Sequence, residues 1–207
     1  MSDQSFSSDN FSDWEEEEED EDTKNHSDKD KKQNQKKDEL KIKNIKLIQA
    51  ITEILTKIIE ENKKQENYKE ILLKQKNMIF SANSIPKLSI FDYLIRINKY
   101  SEIEASTLIC SLILIDHISQ SSDIILTYYN IHRIIFAAIL ASIKYNEDSF
   151  YDNKFYAEIA GVKLKELNMI EYTFLELTDF NVLIKTEEYK EYTIYLKKFY
   201  EISLLEN

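Results

Sequence analysis

Two charged side chains, Lys144 and Glu171, stand in helical segments whose other positions are nearly all apolar, and a charge in such company needs a use. An ammonium offers three N–H donors and a carboxylate accepts through two oxygens. Both are therefore capable of charge-assisted hydrogen bonds. Read from the residues alone, there is a plainer alternative, in which Lys144 complements the negative end of a helix and Glu171 lies on a solvated face. Bond-making chemistry has no comparable support. No nucleophile is paired with a base and no glycine loop is present to cradle a phosphate. The three histidines, His26, His117 and His132, have no cysteine at metal-ligand spacing. The pattern implies a binding protein without catalytic residues, cofactor, metal or small-molecule substrate.

The elements that must position this pair are helical. From Ile134 to Ile143 the chain is apolar all the way round, as expected of a helix enclosed by other helices, and Lys144 follows at once. Ala137, Ala138, Ala141 and Ser142 let neighbouring backbones approach closely. At about 100° per residue, Arg133, Ala137, Leu140 and Lys144 share one edge of this helix. In the segment around Glu171, Leu167, Ile170, Phe174 and Leu177 form the inward stripe, with Leu164, Glu171 and Leu175 on the adjacent arc. An apolar Leu175 beside a charge and off the core stripe is what a docking surface presents.

Upstream, Leu47, Ile48, Ile51, Ile54, Leu55, Ile58 and Ile59 recur at three- and four-residue steps, which predicts one amphipathic helix beginning near Leu40. About two heptads are too few for a coiled coil, so a packing helix is expected. A less regular helical stretch, Tyr68 to Phe80, ends before Pro86, whose ring excludes helical geometry from the residue ahead of it. Five helices follow. Ser89 with Asp92, and Ser101 with Glu104, fit capping boxes that start helices near 90 and 102. Thr127 caps a third running to about 145, and Asp152 or Asn153 a short fourth. Gly161, the sole glycine, separates the fourth from a fifth over 163–178. Thr186 caps a last amphipathic helix carrying Tyr189, Tyr192, Leu196, Phe199 and Leu204, and no alternating run calls for a sheet.

The 207 residues carry a net charge of −11, but residues 1–39 hold 15 acids against 6 lysines, leaving −2 for residues 40–207. The first segment is too poor in aliphatics to offset the entropy of ordering it, and is expected to be disordered. In it, Ser12 before a run of carboxylates resembles an acidophilic-kinase target, and Lys31-Lys32 with Lys36-Lys37 could belong to a nuclear import signal. The remainder is nearly neutral, which argues against nucleic-acid binding, since that needs a basic face. An acidic N-terminus without an apolar core implies no secretory signal. The longest apolar run is about half of what spans a bilayer, so no membrane partner is expected. Cys110, inside an apolar run, reads as a small buried hydrophobe in a reducing compartment, nucleus or cytoplasm.

Four stretches, in order, carry a likeness to a known family: residues 89–100 (Ser-Ile-Phe-Asp-Tyr-Leu-Ile-Arg-Ile-Asn-Lys-Tyr), 128–134 (Tyr-Tyr-Asn-Ile-His-Arg-Ile), 143–148 (Ile-Lys-Tyr-Asn-Glu-Asp) and 167–175 (Leu-Asn-Met-Ile-Glu-Tyr-Thr-Phe-Leu). They resemble the cyclin box, and most of all that of P-type (U-type) cyclins, from about residue 45 to the end. The resemblance implies an all-α fold: a disordered tail over 1–39, a helical extension over 40–86, a single five-helix box over 87–180 and a C-terminal helix over 181–207. It implies a non-catalytic regulatory subunit that binds a cyclin-dependent protein kinase as a heterodimer and activates it by docking the kinase αC helix. Lys144 and Glu171 match the family's backbone clamp on the kinase, with Leu140, Tyr145 and Leu175 joining the contact. Arg96 and Asp116 match a buried structural ion pair. A cyclin-fold scaffold in a transcription assembly, without kinase activation, is the alternative. His117 stands where the family usually has arginine, and Ala160-Gly161 where it often has two glycines. The Met-Arg-x-x-Leu pattern by which mitotic cyclins dock substrates is missing from the first helix.

Overall fold

The computed structural model describes residues 44–200, the side chain of Phe199 excepted. The acidic segment 1–39, its serine and lysine motifs, the helix start near Leu40 and the end of the stripe at Leu204 lie outside the described residues. Within them the chain forms eight helices and no strand: α1 over 44–63, α2 Tyr68–Gln75, α3 Ile90–Ser101, α4 Ala105–Ser121, α5 Ile131–Asn146, α6 Asn153–Ala160, α7 Leu164–Leu177 and α8 Thr186–Tyr200. Helices α3 to α7 are the five-helix box, with α1 and α2 before it and α8 after it.

All ten positions from Ile134 to Ile143 are buried, so α5 is the axis of the bundle. Its longest partner is α4, buried at every position from Thr107 to Ile115. Helices α7, α6 and α3 close the other sides of α5, and α8 lies on α4. The four small residues of α5 are among the least exposed in the chain, which is what lets helices approach it from several directions. Cys110 is buried, and that burial pushes its thiol up to about 11, consistent with a structural hydrophobe.

Helix α1 spends its apolar stripe inside this chain: Leu47, Ile48, Ile51, Leu55 and Ile59 all belong to the one core. Both its ends are pinned. Asn44 Nδ2 donates to Ile103 O at 2.7 Å and to Asn98 Oδ1 at 2.9 Å, and Asn62 Nδ2 donates to Leu126 O at 3.0 Å. The stripe is therefore that of a packing helix.

The caps explain the boundaries. Ser89 Oγ accepts from Asp92 N–H at 3.0 Å, and its hydroxyl donates to the Asp92 carboxylate at 2.6 Å, starting α3 at Ile90. Thr127 does not cap α5, which starts at Ile131 behind Asn130 without a side-chain cap bond; instead Thr127 shapes the turn before it, its N–H donating to Asn130 Oδ1 at 2.8 Å and its Oγ1 accepting from Tyr129 N–H. Asp152 caps α6 through Phe155 N–H at 2.9 Å. The second box, Ser101 with Glu104, does not form. Ser101 is the last residue of α3, the chain reverses at Glu102 (φ +48°), and α4 starts at Ala105 behind Glu104, whose side chain caps nothing. Ser101 is buried where α3 ends, which removes its hydroxyl from service as a cap.

The expected Arg96–Asp116 ion pair does not form either. Helix α3 packs on α6 and α5, whereas α4 packs on α5 and α8, so the two side chains leave in different directions. Arg96 is exposed and donates to Glu158 O in α6 at 3.0 Å. Asp116 accepts from Gln120 Nε2 at 2.6 Å and from the Tyr192 hydroxyl of α8 at 2.5 Å. Each still ties two helices together, but neither is a buried charge awaiting the other.

Gly161 ends α6 at φ +72°, where an added Cβ would meet nothing within 4 Å. The expected cost of Gly161→Ala is therefore backbone strain alone, about 1 kcal/mol. Urea unfolding should show the loss, with Gly161→Asn losing less; an unchanged midpoint for the alanine variant would contradict the assignment.

Candidate functional site

Helix α5 delivers Lys144 in its last turn, one residue beyond the buried run, and α7 brings Glu171 to meet it. Lys144 Nζ donates to Glu171 Oε1 at 2.5 Å. Glu171 Oε2 accepts from Asn153 Nδ2 at 2.8 Å, and the same amide reaches Asn168 Oδ1 at 2.8 Å. The lysine side chain is 29% exposed and the glutamate 14%. Lys144 does stand in the last turn of α5, as the plainer alternative has it, but its ammonium is bonded to α7. The end of α5 is served by Asn146 Nδ2, which donates to Ser142 O at 2.9 Å, and by Glu147 N–H, which donates to Ile143 O; Lys144 Nζ goes to α7. Glu171 is too covered for a solvated face.

The pair leaves bonding capacity facing outward. One N–H of the ammonium serves Glu171, so two remain, while the carboxylate already has an acceptor role on each oxygen. The site is thus a partly shielded donor steadied by an acid, with α6 supplying the third member. Asn153, offered by the sequence as a possible cap, joins the pair; nothing local says that its amide reaches 18 residues on.

Of the three apolar residues expected beside the pair, the structure separates one from the others. Tyr145 is 53% exposed, and Leu175 is half-buried against the core. Leu140 is 1% exposed. It shares an edge with Lys144 as projected, but α5 is enclosed there, so Leu140 supports the site from inside and offers nothing to a partner. Two aromatics not singled out in the sequence stand exposed on α7 and in the turn that follows it. Tyr172 and Phe180 are 56% and 60% exposed, with ring centroids 6.0 Å apart at a steep angle. Phe180 and its neighbour Asp179 both have left-handed backbone, φ +57° and +50°, unusual for such side chains. Phe180 N–H donating to Leu175 O at 2.7 Å holds the turn.

A second ion pair fixes the other end of the α5–α7 contact. Arg133 pairs with Glu166 and donates to Ile79 O at 2.7 Å and Ser81 O at 3.1 Å. His132, next to it, is hydrogen-bonded through Nε2 to Leu88 O at 2.8 Å, which makes Nε2 the protonated nitrogen, and burial lowers its pKa. It is a structural residue holding the segment before α3. Among the described residues no group of three or more His, Cys, Asp or Glu gathers as a metal would need, and no helix is long and apolar enough to cross a membrane.

Comparison with known proteins agrees with this architecture. The sequence model of the cyclin family matches residues 18–182. The chain is 32% identical over 165 residues to the PHO85 cyclin-like protein psl1 of Schizosaccharomyces pombe, covering 75% of this chain and 68% of that protein. It is 29% identical over 190 residues to PHO85 cyclin-7 of Saccharomyces cerevisiae (80% and 67%), and 26% identical over 162 residues to Cyclin-U4-1 of Arabidopsis thaliana (78% of each).

The two ion pairs should differ in weight. Arg133→Met strands two carbonyls and Glu166, at an expected cost of about 2–3 kcal/mol. Lys144→Ala leaves Glu171 with Asn153 and should cost less than about 1 kcal/mol. Chemical denaturation of the two variants would show the ranking, and equal losses would mean that Arg133 is not the anchor.

Proposed function

With this chain a member of the cyclin family, regulatory rather than catalytic proteins whose kind of partner is a cyclin-dependent protein kinase, we propose that it activates such a kinase by gripping the backbone beside the kinase αC helix with Lys144 and Glu171. The observation that carries the reading is the bonded Lys144–Glu171 pair, half-shielded at the edge of the bundle beside exposed Tyr145 and Tyr172. A side chain already held in place loses less freedom when it binds, so a pre-set ammonium is a better donor to a partner carbonyl than a free one. The exposed aromatics supply the apolar area that an interface centre needs, and polar groups set its register.

Activation follows from preference for one kinase state. A kinase is competent only when its β3 lysine pairs with its αC glutamate, which the position of αC controls. A subunit that binds the αC-in form better than the αC-out form shifts the population; moving it from 1:99 to 99:1 takes about 5.5 kcal/mol of differential binding. An interface of roughly 1,600 Å² is of the size that supplies such energies. The setting we propose is nucleus or cytoplasm, where such kinases act.

The test is direct. A kinase recovered with the tagged chain from native lysate should phosphorylate a generic substrate at least about a hundredfold faster with the wild-type chain than alone. The double variant Lys144→Ala/Glu171→Ala should keep its helical content and melting temperature, yet raise the rate little. Full activation by the folded double variant would remove these residues from the mechanism, and a partner set of transcription factors without kinase would favour a scaffold instead.

A further inference from the structure

A groove of about 530 Å³ lies between α2 and the segment that leads into α5, and none of the residues proposed to meet the kinase lines it. One wall is a single face of α2 and its C-cap, on which Lys69, Leu72, Leu73 and the C-cap residue Lys76 follow at i, i+3, i+4 and i+7. The other wall is formed by Ala82 and Tyr129, drawn together by the Ala82 N–H, which donates to Tyr129 O at 2.8 Å. The floor is fixed, because Gln75 is buried and hydrogen-bonded to Asn130. This is a built concavity of the size that holds a few side chains.

Its charge is the reverse of the chain's. No carboxylate lines the groove, although the whole sequence carries −11. Lys63, Lys64 and Lys144 each pair with an acid, whereas neither Lys69 nor Lys76 has a hydrogen-bond or ion-pair partner among the described residues. Between those two ammoniums runs an apolar strip whose middle, Leu73, is 73% exposed. A large exposed leucine bracketed by cations that no described residue pairs leaves both apolar area and charge unmatched among the described residues, and one ligand would match both.

We infer that this groove docks a short acidic linear motif of a partner protein. The motif lies extended, with a leucine or phenylalanine side chain between Leu73 and Tyr129 and carboxylates on Lys69 and Lys76. Spacing supports an extended peptide. Seven residues of helix separate the lysines by about 10.5 Å, and an extended chain covers that in three residues at about 3.3 Å each. A nucleic acid would ask for a longer basic track, and a lipid surface for a convex or flat face rather than a concave one. The assignment does not depend on the kinase reading, since the two surfaces share no residue.

Fluorescence anisotropy on the full-length chain tests it, with a labelled peptide Glu-Asp-Leu-Phe-Asp-Glu as probe. Saturable micromolar binding is expected, weakened at least about tenfold by Lys69→Glu/Lys76→Glu and by Leu73→Asp. These three positions are exposed, so the variants should fold, which melting by circular dichroism checks. Lys144→Ala/Glu171→Ala should bind the peptide as wild type does. Peptides with lysine in place of the acids, or serine in place of Leu-Phe, should fail. The inference is overturned if the probe does not bind, if the charge-reversed chain binds it equally, or if the serine peptide binds as well as the probe.

Discussion

A helix buried at ten successive positions exists only if other helices enclose it, and this requirement on α5 organises the molecule. Isolated in water such a segment would expose apolar surface on every side; enclosed, it gives each of its neighbours a face to bury. Small residues at 137, 138, 141 and 142 make the enclosure possible, because α4 on one side and α7 on another can come close without voids. The chain then has to place the two charges that bracket the run, Arg133 and Lys144. Both are met from α7, by Glu166 and Glu171.

The anchor of the fold and the proposed binding surface are consequently the same contact seen from two ends. At the Arg133 end the guanidinium is consumed by two carbonyls and a carboxylate, and the charge is a rivet. At the Lys144 end the ammonium meets one carboxylate and retains donors toward solvent. An acid that holds a lysine in place while leaving it unsaturated makes a pre-set prong, and Asn153 from α6 keeps that acid from swinging away. The turn after α7 that displays Phe180 has left-handed backbone at two successive non-glycine residues, Asp179 and Phe180, a strain held in place by the Phe180 N–H bond to Leu175 O.

Much of this was legible in the residues, and the failures are instructive. Ser89 with Asp92, Asp152 and Gly161 were readable because a cap or a left-handed turn is settled within four residues. Ser101 with Glu104 has the same local form and failed, since a three-residue spacing cannot say that the previous helix still needs Ser101 for its last turn. Arg96 and Asp116 are a pair by family resemblance only; here α3 and α4 turn their polar sides to different neighbours, α6 and α8. Leu140 was placed on the correct edge of its helix, but a helical projection gives direction and not cover. The bonds that Asn153 and Glu166 make escaped notice because their partners lie 18 and 33 residues away in the chain, on other helices.

What the sequence by itself determined is periodicity, and through it the all-helical class, the apolar axis at 134–143, the amphipathic α1 and the two charges that stand out against oil. These are short-range properties: a 3.6-residue repeat and a cap are complete within one or two turns. Only the tertiary structure decided that Lys144 and Glu171 bond to each other, that Leu140 is covered while Tyr145 is not, and that Lys69 and Lys76 line a groove with no partner among the described residues. Those outcomes depend on which helix lies across which, and that is set by how side chains far apart in the chain interlock, a matter on which no single helix carries information.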